Sequence, residues 1–291
     1  MLGKAWILAA RPRTLPAAVV PVVVGSSLAD FLGGFRWEPA LLCGAFAVLV
    51  QIGTNYANDY FDWKQGADTP DRVGPTRAVA SGLVAPRTMR AAAFAVLGIA
   101  FATGLLLVRW GGWWLVGVGV ASVVSAIAYT ARPIALGYRG LGDVFVVFFF
   151  GIVAVCATAY VQLGYFPAAG WPTGFAIGLL ANNLLVINNY RDRESDAAAG
   201  KRTLVVRFGP AFGEGLVLAS VVVSALLCLG FAVVNDRWWL LPAIGGLYPV
   251  YRVWRRLPRA LRREGFARLL PRASTGLVLF GLLFAAGLAW P

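Results

Sequence analysis

Charged residues are nearly absent from nine apolar stretches of this chain: 15–32, 40–57, 91–108, 113–130, 141–160, 173–189, 212–234, 238–254 and 273–290. Each is long enough to cross a hydrocarbon core of about 30 Å as an α-helix. The runs are continuous, whereas a lipid-facing barrel strand alternates over about ten residues. A backbone in lipid must close its own hydrogen bonds, so helices are predicted throughout. The expected fold is all-α, a polytopic membrane bundle of nine helices forming one domain over residues 1–291.

Composition sharpens this reading. Of 291 residues, 59% are hydrophobic and 13% charged, too apolar for a water-soluble globule at about 45 to 50%. With the amino terminus cytoplasmic, all but Arg36, Arg109 and Arg237 of the 26 basic residues fall on cytoplasmic loops, as the positive-inside rule requires. An odd helix count then places the carboxyl terminus outside. Trp113-Trp114 and Trp238-Trp239 fit the aromatic belt of the outer interface. The formal charge of +13 follows from this orientation and from anionic lipid at the cytoplasmic leaflet, so no nucleic-acid partner is expected. The basic run 252–272 reads the same way, as a lipid-facing loop. Cys43, Cys156 and Cys228 stand alone in apolar runs and read as small core residues. Histidine is absent, which removes histidine-based acid–base catalysis and most transition-metal sites.

The chemistry is expected where carboxylates gather against this background, because an Asp at bilayer depth costs about 2.5 to 3.5 kcal/mol on insertion scales. They gather twice. Asn55-Tyr-Ala-Asn58-Asp59-Tyr-Phe-Asp62 ends the second span, with Asp68 and Asp71 following; Asn188-Asn-Tyr-Arg-Asp192-Arg-Glu-Ser-Asp196 ends the sixth. Asn55, Asp59 and Asp62 share one helix face, as do Asn188, Asp192 and Asp196. Stacked like charges repel, and hard oxygen donors suit Mg²⁺ completed by phosphate and water. Arg72, Gly74 and Arg77 follow the first cluster, and Gly200-Lys201-Arg202-Thr203 the second; such cations balance a diphosphate. The echo predicts a weak internal repeat, spans one to four and five to eight, with the ninth appended. A single acidic loop is commonly a helix leaving the membrane; two matched ones on one side argue for a site. Arg132-Pro133 after Tyr129-Thr130 fits an ordinary helix end equally well. A cation-coupled transporter is a competing class, but its acids belong near mid-membrane, whereas these sit at one face.

From Arg11-Pro-Arg-Thr14 to the last span, these residues resemble the UbiA superfamily of intramembrane prenyltransferases. Asn55 to Asp62, Gly66-Ala-Asp68, Asn188 to Asp196 and Gly200 to Thr203 look like the branch that prenylates 1,4-dihydroxy-2-naphthoate in menaquinone biosynthesis. The superfamily pattern Asn-Asp-x-x-Asp-x-x-x-Asp is partly kept, since the next Asp after Asp62 is six residues on, a spacing that branch shares. The resemblance implies a bundle around a central cavity open to lipid, in the cytoplasmic membrane, with its site at the cytoplasmic rim. It implies transfer from a polyprenyl diphosphate to the naphthoate, or to a ring such as 4-hydroxybenzoate. It implies Mg²⁺ on Asp59, Asp62, Asp192 and Asp196, with Arg72, Arg77, Lys201 and Arg202 around the diphosphate. Asn55, Asn58, Asp68 and Asn188 are then substrate-binding, and Arg11, Tyr129, Arg132 and Asp143 supporting or acceptor-side groups.

Overall fold

The computed structural model describes residues 2–67, 76–260 and 263–290. Asp68, Asp71, Arg72 and Gly74 of the sequence analysis lie outside them, as does Arg262. Among the described residues the chain is helical without a strand. The helices are α1 (Leu2–Ala10), α2 (Pro16–Phe31), α3 (Trp37–Lys64), α4 (Pro86–Leu106), α5 (Val108–Gly111), α6 (Trp114–Ala128), α7 (Gly142–Val147), α8 (Ala154–Leu163), α9 (Gly170–Ala198), α10 (Leu204–Phe208), α11 (Pro210–Val234), α12 (Leu241–Gly245), α13 (Tyr248–Arg256) and α14 (Arg263–Ala289).

Each of the nine predicted stretches falls on helix, but they are not nine uniform rods. Among the described residues six helices, Trp37–Lys64, Pro86–Gly111, Gly142–Leu163, Gly170–Ala198, Pro210–Val234 and Gly265–Ala289, are long and apolar enough to cross a membrane. A seventh arises if Gly3–Thr14 and Pro16–Phe31, bent by 49°, count together. The bend has a local cause: Arg11 adopts a left-handed φ of 51° ahead of Pro12, and Pro16 restarts the helix at its first turn. The fourth stretch is the shorter helix Trp114–Ala128. The eighth is broken at Gly246-Leu247 into α12 and α13, each opening with a proline near its start, where the missing amide is tolerated.

At the centre runs α9, with 72% of its apolar window buried against 22% for Pro86–Gly111. It packs on α2, α7, α8, α11 and α14, while α3 pairs with α4 and α6. Between α7 and α8 the chain makes a π-helical turn, Phe148–Val153, where it presses on α9. A Cβ at Gly174 would lie 2.8 Å from Ile152 Cα and 3.1 Å from Gly151 O, so the crossing closes only with glycine. Polar side chains also join helices in the interior: Asn183 donates to Ser220 Oγ at 2.8 Å, and Ser224 to Ala176 O at 3.2 Å. Cys43, Cys156 and Cys228 are all buried.

Candidate active site

The site is built on an elbow between α1 and α2. Thr14 Oγ1 donates to Arg11 O at 2.9 Å and accepts from Gln51 Nε2 at 3.0 Å and from Asn55 Nδ2 at 3.2 Å. Asn55 Nδ2 also reaches Ala10 O at 2.9 Å. Asn55 therefore ties the elbow to α3 and holds Arg11 at the cavity wall.

One and two turns further along α3, the roles of the acidic face divide. Asn58 faces the cavity and accepts the Thr130 hydroxyl. Asp59 is 1% exposed; its two oxygens accept the successive amides of Ala78 at 3.1 Å and Val79 at 2.9 Å. That grip returns the chain so that Arg77 Nη2 meets Asp62 Oδ2 at 2.8 Å. Beyond it, Gln65 donates to Thr130 O at 2.8 Å and accepts from the exposed Arg132 Nε at 3.1 Å.

The second cluster lies at the end of α9. Arg191 clasps Asp192 with two bonds of 2.7 Å, Lys201 Nζ is 3.4 Å from Asp196 Oδ1, and Asn188 faces the cavity. Asp196 Oδ2 is buried without a hydrogen-bond partner. The carboxylate of Asp196 also lies in the field of Asp192 and of Asp62, so the two clusters converge.

Tyr138, absent from the predicted set, joins them. Its hydroxyl donates to Asp62 Oδ1 at 3.2 Å, its ring lies 5.7 Å from Lys201 Nζ, and its carbonyl accepts Arg202 N at 2.8 Å. Gly140, at φ 76°, lets this loop close on the second cluster, since a Cβ there would lie 2.6 Å from Arg202 O. The Arg202 side chain itself is exposed. Asp143, in the first turn of α7, is buried and accepts Asn182 Nδ2 at 3.0 Å. A tyrosine beside a helix end reads from sequence as an interfacial aromatic, which hides Tyr138. Gln51 and Asn182, polar within apolar spans, carried a legible signal.

Below this rim opens a cavity of about 260 Å³. Its polar wall includes Arg11, Gln51, Asn55, Asn58, Tyr129 and Asn188 with a few hydroxyl side chains, and the rest is apolar, including Phe46, Leu107, Leu115, Phe149 and Val161. Along α3 the lining runs from Asn58 back to Cys43, about 22 Å at 1.5 Å per residue. Val22, Cys43, Leu107, Leu115 and Val161 form one apolar cluster at its deep end.

Could these donors hold a divalent cation? Asp62, Asp192, Asp196 and the Asn58 amide offer hard oxygens with one carboxylate oxygen unsatisfied, which fits Mg²⁺. Among the described residues no three acids close around a single point, so phosphate and water oxygens would complete the shell.

A cation-lined rim over a long apolar cavity suits an amphiphile with an anionic head, and comparison with known proteins agrees. The pattern of the UbiA prenyltransferase family matches residues 18–275. The chain belongs to that family. It is 42% identical over 291 residues to a 1,4-dihydroxy-2-naphthoate octaprenyltransferase of Mycobacterium tuberculosis, covering 96% of this chain and 98% of the relative. An Escherichia coli enzyme of the same description is 36% identical over 295 residues, covering 98% and 95%. Solved UbiA homologues share the fold. One from Aeropyrum pernix K1 has a TM-score of 0.71 at 17% identity, covering 94% of this chain and 96% of that one. One from Archaeoglobus fulgidus bound to GPP and Mg²⁺ has a TM-score of 0.60 at 18% identity, covering 96% and 99%. As a UbiA family protein with several membrane-length helices, this chain is a multi-pass membrane protein.

Proposed function

We propose that this protein transfers a polyprenyl group from its diphosphate to 1,4-dihydroxy-2-naphthoate with loss of carbon dioxide, giving demethylmenaquinol for menaquinone biosynthesis. The observation that carries the reading is the cavity, apolar over most of its length and capped by two convergent Asn and Asp clusters, in a chain 42% identical to an enzyme of that description. A prenyl tail is lipid-soluble and its diphosphate is not, and the cavity divides in the same way.

In this mechanism Asp62, Asp192 and Asp196, with Asn58, would supply oxygens to Mg²⁺ whose shell phosphate and water oxygens complete, and the ion would neutralise charge on the diphosphate. Asp59, with both oxygens on backbone amides, fixes the return that delivers Arg77. Arg77, Lys201 and Arg202, together with Arg72, balance the phosphates and favour charge developing on the leaving group; Asp68, which like Arg72 lies outside the described residues, is kept as a substrate-binding residue. Asn188 lines the approach. The allylic carbon–oxygen bond breaks with its electron pair leaving on the diphosphate. The carboxylated carbon of the electron-rich ring attacks the allylic carbon, and loss of carbon dioxide returns the electron pair that restores the ring. No strong base is needed at carbon, which suits a chain without histidine. Arg11, Tyr129, Asp143 and Arg132 form the acceptor side, Arg11 offering a fork of donors to the acceptor carboxylate.

We further place all nine apolar segments across the cytoplasmic membrane, amino terminus and active site on the cytoplasmic side, as a single domain carrying the weak repeat. The test is product formation by purified protein in lipid, with labelled polyprenyl diphosphate and the naphthoate, Mg²⁺ present or chelated. Mg²⁺-dependent prenylated naphthoquinol with carbon dioxide release is expected. Product formed only with 4-hydroxybenzoate would keep the chemistry and change the acceptor.

A further inference from the structure

A second concentration of charge lies away from the cavity, where α13 meets α14. Arg252 and Arg256 stand at i and i+4 on α13, and Arg268 and Arg272 at i and i+4 on α14. The Arg256 guanidinium lies in the repulsive field of Arg272, Arg252 and Arg268, which pushes its pKa below the ordinary arginine value. Among the described residues no carboxylate forms an ion pair with any of the four. Like charges at i and i+4 destabilise a helix, and here α13 packs on α14 so that Arg256 of one pair lies in the field of both arginines of the other. Orientation in the membrane requires an excess of basic residues near span ends; it does not require three arginines to crowd the field of a fourth.

The same surface carries an aromatic ladder. Tyr248 stacks on Tyr251 with centroids 6.5 Å apart, and Tyr251 packs on Trp254 at 5.6 Å. Their hydroxyls hold arginines in place: Arg252 Nη1 donates to Tyr248 OH at 2.7 Å, and Arg255 Nη1 to Tyr251 OH at 3.2 Å. Tyr and Trp settle at headgroup depth, and basic pockets between membrane helices take lipid phosphates.

We propose that Arg252, Arg256, Arg268 and Arg272 form a binding site for the phosphate headgroup of an anionic membrane phospholipid. The guanidinium forks grip phosphate oxygens in pairs, and the aromatic ladder beside them holds the site at the depth where a lipid phosphate sits. This is independent of the prenyl-transfer reading and requires only that the chain lie in a bilayer. Through α14 the site adjoins the second acidic cluster, because Phe266 packs on Tyr190 at 6.2 Å.

The experiment is native mass spectrometry of the full chain taken from nanodiscs of phosphatidylcholine mixed with phosphatidylglycerol or cardiolipin. Retention of anionic over zwitterionic lipid is expected, falling about fivefold for each arginine neutralised in R256Q and R268Q. R256K/R268K separates the readings, an unchanged melting temperature in detergent showing that it folds. A site that needs the fork loses retention in the lysine variant, whereas charge serving orientation alone leaves it at the wild-type level and overturns the proposal. Displacement of the retained lipid by millimolar-range inorganic diphosphate would overturn it too, since the site would then be one for soluble phosphate.

Discussion

Asp59 and Asp62 stand three residues apart on one helix and do different work, and the difference comes from residues far along the chain. Asp59→Asn leaves one of the Ala78 and Val79 amides facing an NH₂ group, at a cost of about 1 to 3 kcal/mol for an unpaired buried donor. The expected result is a raised KM for the prenyl donor with Mg²⁺ binding unchanged, read by titrating Mn²⁺ in its place. Asp62→Asn removes both the Arg77 ion pair and a proposed metal ligand. It should lower kcat by about 10² to 10³ and weaken Mn²⁺ binding. Equal loss of Mn²⁺ affinity in both variants would return Asp59 to the metal shell. Tyr138→Phe tests the staple between clusters. A hydrogen bond to a charged acceptor contributes about 1.5 to 3 kcal/mol, so transfer should fall about 10- to 100-fold while the ring stays under Lys201. Activity within twofold of wild type would sink the staple. The acidic faces were legible in sequence because carboxylates are conspicuous in an apolar chain. The division between Asp59 and Asp62 was not, because helical register puts both on one face and only the return at Ala78-Val79 separates them.

Element by element, the apolar pattern located the six helices long enough to cross a membrane, and the bent pair that could make a seventh, but not the shape of each segment. The break in the eighth segment was written in Pro242, Gly245-Gly246 and Pro249, which a window of hydropathy averages away. The short helix α1 was missed because its nine residues fall well under a membrane span. Close approach of helices is equally invisible to hydropathy, since a glycine scores alike at a crossing and on a free surface. Gly174 and Gly230 make that contrast testable. A Cβ at Gly174 meets backbone of the facing π-turn at 2.8 Å, whereas nothing lies within 4 Å of one at Gly230. Gly174→Ala should cost about 1 to 3 kcal/mol by forcing the helices apart, lowering the melting temperature in detergent. Gly230→Ala, within α11, should be neutral or stabilise by up to about 1 kcal/mol through helix propensity. Matching melting shifts would mean that the α9 crossing yields more readily than its backbone contacts imply.

For the whole molecule, a central cavity was implied by the family resemblance, but its lining could not be read along the chain, because its wall draws on α2, α3, α4, α6, α7, α8 and α9 together. Its depth bears on which donors fit. With the diphosphate at the polar rim, as proposed, the tail would run along the apolar wall toward Cys43, Leu107 and Leu115, and a plug placed there touches only tails long enough to reach it. Ala47, one turn from Cys43 on α3, lines that part of the cavity. Ala47→Phe should raise KM about tenfold for a long donor through overpacking of about 1 to 3 kcal/mol. A geranyl donor, too short to reach the plug, should keep its KM. Steady-state kinetics with geranyl, farnesyl and longer diphosphates would read this directly. If the penalty is the same for every length, the tail leaves the cavity before Ala47 and runs into lipid, and chain length is then set outside the apolar cluster at the deep end.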